Sequence, residues 1–446
     1  MPEPPTRRGL GLWMCTALVL GNMIGSGVFL LPASLAPFGG ISILGWLVSA
    51  GGALCLALVF ARLGMRLPRL GGPYAYAREG FGDFGGFWVA WSYWISMWTT
   101  NAALAVAFAS YSTVFWPGLS TSPILGAAAA LIPLWLLTAV NVAGVREAGG
   151  VQLVTTVLKV LPLAAVALFG FFTFEPGHFV PFNPTGDSPM LALSSTVTLT
   201  LWAFLGLESG TVPASDIHDP KRTIPRATML GTSLAAAIYI ICTVAVMGII
   251  APAELATSTA PFADAAGRIW GDWGRWLMGA GAAISAFGAL NGWVLLSGQL
   301  PRAAALDGLL PARFAGLTGR GSPAFGLIVS SVISSALIGM NYTRGLVEAF
   351  TFLILLATLA TLMPYVFSSM TELWISLREG KALSRGRLAS QLSVSIVAFL
   401  YSLWAIAGSG QETVFWGFLL LIAGLPVYAV MRRGFSAGEA STGSLD

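Results

Sequence analysis

The chain has 446 residues, of which 56% are apolar and only 9% charged. Soluble domains carry about 25% charged residues, so a water-soluble monomer, a disordered or collagen-like chain and a nucleic-acid-binding module are excluded. The net charge of +4 comes from 23 basic and 19 acidic residues and reflects scarce charge, not a basic patch, which leaves a chain that crosses a membrane many times.

Twelve apolar segments are long enough to cross a bilayer, for which about 20 helical residues suffice. The first, 11–34, follows Arg7 and Arg8 and is too long for a signal peptide's apolar core. It reads LVLGNMIGSGVFLLP, with Gly25-Ser26-Gly27 near its middle. Segment 2 spans 39–61, and the loop at 71–82 reads GGPYAYAREGFG. Segments 3 and 4 span 85–115 and 123–145. Segment 5, 151–174, holds Lys159 in TTVLKVLPL. Segment 6, 190–215, reads TLTLWAFLGLESGTV, with Gly206 near its middle and Glu208 and Gly210 close behind. The remaining segments are 227–250, 274–303, 323–341, 347–374, 389–408 and 413–431. These are continuous runs, not the ten-residue alternation of a sheet barrel.

Other chemistry is sparse. Cys15, Cys55 and Cys242 lie in apolar stretches without CxxC spacing, so no disulfide framework is expected. His178 and His218 lie outside the apolar runs, which argues against a metal site. No phosphate-cradling G-x-x-x-x-G-K-[ST] loop is present. No cofactor is expected.

Lysine and arginine orient the chain. With the N-terminus inside, nineteen basic residues lie in inner loops and tails, against Arg268, Arg275 and Arg344 outside. This asymmetry predicts two cytoplasmic ends.

Segments 1 and 6 are the interrupted ones. Glycine weakens a helix interior and lets the backbone unwind. The two segments are five crossings apart, an odd number, so a repeat beginning at segment 6 enters from the opposite face. Paired interrupted helices in matching halves point to a transporter's binding site. Small residues that merely allow close helix packing are the plainer alternative.

Intramembrane ionisable residues are functional candidates because charge at the bilayer centre is costly. Glu208 and Lys159 qualify, although each could be a structural tether at a broken helix. The breaks also supply chemistry for an amino acid. A half-helix starting after Gly25-Ser26-Gly27 presents free N–H groups to a carboxylate. Unwound carbonyls around Ile24 and from Trp202 to Leu205 suit an ammonium group. Trp202 and Trp293 could close over a substrate or stack on a cation.

GNMIGSGVFLLP, GGPYAYAREGFG and TLWAFLGLES resemble the amino acid–polyamine–organocation transporters over nearly the whole chain. Within them the chain is most similar to the bacterial basic amino acid/polyamine antiporters, such as arginine/agmatine and ornithine/putrescine exchangers. The resemblance implies an all-α, LeuT-like five-plus-five inverted repeat with helices 1 and 6 broken at mid-membrane. A single transporter domain would place the first repeat at 11–174, the second at 190–374 and two further helices at 389–431. Residues 1–10 and 432–446 would be cytoplasmic tails. A homodimer in the bacterial inner membrane and alternating access without sodium are also implied.

By position, the resemblance puts Ser26 and Gly27 at the carboxylate site. Ile24, Trp202 and Leu205 match the amine site and the proximal gate. Ser96, Met97, Asn101, Trp293 and Ala357 match the remaining substrate-facing positions, Asn101 and Trp293 meeting the distal cationic group. Tyr93, Glu208 and Tyr365 match an inward-side gating cluster, and Tyr74 a tyrosine tied to pH response. Met97 and Leu104 depart from the arginine exchangers, Ala357 replaces a serine there, and Lys159 usually has a neutral counterpart. In proton-coupled and exchanging neutral amino acid members this lysine stands in for sodium.

Two transport readings follow. One is an antiporter exchanging a basic amino acid for its decarboxylated amine or another amino acid. The other is a permease for neutral or broad-range amino acids that uses Lys159, whose pKa desolvation would lower. A channel would show rings of like charge or a carbonyl filter. A membrane enzyme would show a nucleophile–base pair. The sequence carries none of these.

Overall fold

The structure, a computed structural model, describes residues 11–25, 27–67, 71–144, 162–211, 219–379 and 384–431. Ser26, Lys159 and His218 lie outside the described residues.

The described residues form helices and turns, with no strand among them. The first segment is split into α1 (Leu12–Met23) and α2 (Gly27–Leu35). Then come α3 (Ile41–Arg66), α4 (Pro73–Ser112) and α5 (Pro123–Ala143). The described part of the fifth segment gives α6 (Pro162–Thr173). The second half holds α7 (Pro189–Leu201), α8 (Pro220–Ile249), α9 (Pro261–Trp270) and α10 (Asp272–Leu306). It continues with α11 (Ala324–Asn341), α12 (Leu346–Glu379), α13 (Arg385–Ala407) and α14 (Gln411–Ile422).

Helix starts follow local chemistry. Proline opens α4, α5, α7, α8 and α9, where its missing N–H would have had no helical partner. Ser122 and Ser188 cap α5 and α7 by accepting from the N–H groups of Leu125 (3.5 Å) and Leu191 (3.3 Å).

Eight of the described helices are long and apolar enough to cross a membrane. They coincide with predicted segments 2, 4 and 7 to 12. Segments 1 and 6 fall into shorter pieces because their helices stop at glycine-containing breaks. Most of the stretch 71–82, expected as a loop, is instead the first turns of α4. Pro73 opens that helix, and Gly82 (φ 70°) turns its direction in a conformation that glycine tolerates. The amphipathic helix α9, between segments 7 and 8, was not foreseen.

α4 lies at the centre, packed against both α10 and α12. α3 packs against α7 and α8, and α1 against α8. α13 joins from outside through α12 and α3. Buried hydroxyls mostly return to their own helix, as Thr99 does to the Ile95 carbonyl (2.7 Å) and Thr361 to that of Ala357 (2.8 Å).

Candidate functional site

The two breaks meet. α1 ends at Met23, and the Gly25 N–H donates to the Met23 carbonyl (2.9 Å) before α2 restarts at Gly27. In segment 6, α7 ends at Leu201 and a 3-10 turn covers Trp202–Phe204. Leu205 is extended, Gly206 has φ 99°, and a second 3-10 turn covers Leu207–Thr211. A side chain on Gly206 would be strained in that left-handed conformation. It would also approach the Asn22 carbonyl oxygen at 3.3 Å. A Cβ on Gly27 would lie 3.1 Å from the Trp202 indole nitrogen. The small residues therefore let the interrupted segments touch backbone to backbone and indole to backbone.

Glu208 sits directly behind the Gly206 turn and is 1% exposed. The Tyr93 hydroxyl donates to its Oε1 at 2.5 Å. The Tyr365 hydroxyl donates to Oε2 at 3.0 Å, and the Gly206 N–H to the same oxygen at 3.2 Å. Thr211 donates to the Glu208 backbone carbonyl (2.7 Å), fixing the turn. The carboxylate thus joins α4, α12 and the broken segment through neutral donors. Among the described residues no salt bridge reaches it.

Helical spacing extends the site in both directions. Tyr93, Met97, Asn101 and Leu104 recur at i, i+4, i+8 and i+11, one face of α4. Tyr93 meets Glu208, Asn101 Nδ2 donates to Ser297 Oγ (3.4 Å), and Leu104 lies 3.6 Å from a Cβ built on Gly25. Asn101 Oδ1 is buried without a hydrogen-bond partner. On α10, Ala289, Trp293 and Ser297 share a face. Ala289 packs 3.2 Å from a Cβ built on Gly25, and Ser297 holds Asn101, which places Trp293 between them on the α4 side. On α12, Ala357 and Tyr365 are eight residues apart on the face that reaches Glu208. Ile24, Met97, Asn101, Trp202, Leu205, Trp293 and Ala357 are all buried.

The described predicted positions thus lie together apart from Ser96 and Tyr74. Ser26 and Lys159 lie outside the described residues. The Ser96 hydroxyl donates to the Tyr93 carbonyl (2.8 Å), a bond within its own helix. The Trp202 carbonyl already accepts from the Leu205 N–H (3.1 Å), so the 3-10 turn uses one of the oxygens expected to be open. Tyr74 is remote from the breaks. Its hydroxyl donates to Asp307 Oδ2 (2.6 Å) at the end of α10, and Arg78 Nη1 pairs with the same oxygen at 3.0 Å. Burial, followed by that hydrogen bond, pushes the Tyr74 phenol above its ordinary range.

One polar centre escaped the sequence reading. Glu372 of α12 is fully buried. Its Oε1 meets Arg66 Nη1 at 3.3 Å and Arg62 Nη1 at 3.6 Å. Ser376 donates to Oε1 (3.0 Å) and Ser395 of α13 to Oε2. The signal was available: Glu372 falls inside the predicted segment 347–374, and Arg62 and Arg66 follow directly on the predicted segment 39–61.

Comparison with known proteins gives the family. The amino acid permease family model matches residues 10–422, and the chain belongs to that family. It is 32% identical to the putrescine transporter PotE of Haemophilus influenzae over 428 residues, 96% of this chain and 98% of the relative. The putrescine transporter PotE of Escherichia coli is 33% identical over the same length, 96% of this chain and 97% of its own. The cadaverine/lysine antiporter of Escherichia coli is 37% identical over 365 residues, 80% of this chain and 82% of its own.

Proposed function

We propose that the protein is a bacterial inner-membrane antiporter that exchanges a basic amino acid for its decarboxylated amine by alternating access. The observation that carries this reading is Glu208, held by two tyrosines from α4 and α12 at the point where the broken segments meet. A carboxyl held only by neutral donors has no cation competing with a cationic substrate for it, and both helices that hold it could move with the gate. The named relatives that carry putrescine, or lysine against cadaverine, support the substrate class.

In this reading the chain crosses twelve times as two inverted five-helix repeats plus two helices, with both ends cytoplasmic. The N-terminus of α2, at Ser26 and Gly27, takes the carboxylate. Carbonyls around Ile24 and Leu205 take the ammonium group. Ser96, Met97 and Ala357 line the middle, while Asn101 Oδ1 and the Trp293 ring receive the distal cation. Trp202 covers the site, and Tyr93, Glu208 and Tyr365 form the inward gate. Two such copies pair as a homodimer in this reading. Lys159 supports the neutral permease as the competing reading.

Radiolabelled arginine uptake into proteoliposomes tests this. The vesicles are preloaded in turn with arginine, agmatine, ornithine, putrescine, alanine or nothing. Uptake that requires a basic internal substrate and is lost in Glu208→Ala supports the antiporter. Alanine uptake driven by an inward proton gradient, lost in Lys159→Ala and without arginine uptake, overturns it.

A further inference from the structure

Pro301 lies inside α10 and has no N–H to donate to the Ser297 carbonyl, four residues earlier. The Ser330 hydroxyl of α11 donates to that carbonyl instead (3.1 Å). The Trp94 indole N–H of α4 donates to the same Ser330 hydroxyl at 2.8 Å. A Cβ on Gly298 would lie 2.8 Å from the Leu327 side chain, and one on Gly326 would lie 3.2 Å from the Gly298 Cα. The α10 and α11 backbones therefore meet closely at this point. Ser297 is anchored to α11 directly and to α4 through Ser330.

The Ser297 side chain is committed as well. A hydroxyl has one proton and two lone pairs. That proton goes to the Val294 carbonyl at 2.7 Å. Toward Asn101 the hydroxyl is therefore an acceptor only, and only the amide nitrogen can meet it. Nδ2 does so at 3.4 Å. An amide carries its donor and its acceptor on separate arms, so this contact leaves Oδ1 as the free arm. Oδ1 is buried without a hydrogen-bond partner among the described residues. Asn101 and Ser297 are both 0% exposed, so bulk water does not compete for either group. An open buried acceptor is costly, and a ligand that brings a donor relieves the cost.

We infer that Ser297 is a positioning residue for substrate selection: it turns the Asn101 amide so that its oxygen, and not its NH2 group, meets the distal end of the substrate. This rests on the proposed reading that Asn101 receives the distal cation. An oxygen there accepts from the N–H groups of a guanidinium or an ammonium. The opposite orientation would set donors against donors. An amino acid and its decarboxylated amine carry the same distal group, so Ser297 serves both partners of the exchange alike. A side chain without a donor gains nothing from the arrangement.

The test compares Ser297→Ala with the wild type in proteoliposomes preloaded with arginine. It reads half-saturation for arginine and for agmatine, the maximal exchange rate, and the inhibition constant of norleucine against arginine uptake. Half-saturation should rise about fivefold, equally for arginine and agmatine, the worth of one oriented hydrogen bond. Norleucine shares the α-amino and carboxylate groups but has no distal donor. Its inhibition constant and the maximal rate should stay within about twofold, which a loosened helix would not allow. If Ser297→Ala does not fold, Ser297→Cys, similar in size and only a weak acceptor, is read in the same way. An unchanged arginine value, an equal change for norleucine, or a change for arginine that agmatine does not share overturns the inference. Wild-type vesicles without arginine exchange sink the proposed antiporter and this inference with it. Normal wild-type exchange with an unaltered variant sinks the role of Ser297 alone.

Discussion

Glu208 and Glu372 are both shut off from solvent, at 1% and 0% exposure, yet they keep opposite company. Glu208 is held by two tyrosine hydroxyls and a backbone N–H. Glu372 is held by Arg66 and Arg62, with Ser376 and Ser395 filling its remaining lone pairs. The two centres share α12, where Tyr365 reaches Glu208 and Glu372 follows seven residues later, two turns along. A buried carboxyl among neutral donors has no cation to balance it, so the cost of its charge depends on whether one stands nearby. One paired with arginine is already balanced, and removing the arginines leaves an uncompensated buried charge. The first arrangement can respond to a substrate. The second fixes α3, α12 and α13 together and gives Tyr365 a firm base.

The largest effect should come from breaking the balanced centre. Glu372→Ala takes the buried acid from Arg62 and Arg66, leaves Arg66 only Glu379 as an acidic partner, and should cost about 3 kcal/mol of stability. Thermal unfolding followed by size-exclusion chromatography reads this as a steep fall in melting temperature and yield. A melting temperature near that of the wild type would show that the arginines reach solvent instead, and the contrast between the two glutamates would collapse.

Removing the charge at the other centre should do the reverse. Glu208→Gln keeps the volume and one acceptor oxygen, so the fold should survive. Two charge-assisted hydrogen bonds at about 1.5 kcal/mol each are weakened, a factor of about 100. We expect exchange to fall by that order, with the melting temperature nearly unchanged. A loss of stability matching that of Glu372→Ala would assign Glu208 a tethering role.

The tyrosines divide that effect. Tyr93→Phe and Tyr365→Phe each remove one bond to the carboxylate and should slow exchange about tenfold. Tyr93 makes the shorter bond, 2.5 Å against 3.0 Å, and should show the larger loss. Equal loss of exchange in both, as deep as that of Glu208→Gln, would mean that the three groups act as one unit and do not divide.

The sequence made one of these centres legible and hid the other. Glu208 stood out because an acid beside Gly206 in an apolar run has no cheap explanation. Its tyrosine partners came from the family resemblance, since no spacing rule links Tyr93 or Tyr365 to residue 208. Glu372 was passed over although it lies in an apolar segment. It sits near the end of that segment, where a charge looks solvated, and its arginines are about three hundred residues away in sequence. The apolar segments were readable for the same reason that the pairing was not. Membrane-length hydropathy is local, and a buried ion pair between helices is not. Helix breaks lie between these cases: glycines marked where segments 1 and 6 stop, but their backbone contact at Gly206 and Asn22 needed the folded chain.

Asp307 combines both kinds of company, with Tyr74 and Arg78 donating to one oxygen, and it offers the smallest and most selective check. Burial and the bond to Asp307 push the Tyr74 phenol upward. A group whose folded pKa is raised adds stability that is complete below its unfolded value, near pH 10 for tyrosine, and lost as pH rises through the folded value. Tyr74→Phe should therefore cost about 1 kcal/mol, and the difference should be flat from about pH 5 to about pH 9. Above about pH 10 the gap should narrow, because the unfolded wild type then sheds the phenolic proton that the folded state still holds. Melting temperatures of both proteins across that range decide it. A gap that changes below neutral pH would show that a group other than the phenol titrates there, and Tyr74 would report on that group's charge without sensing pH through its own proton.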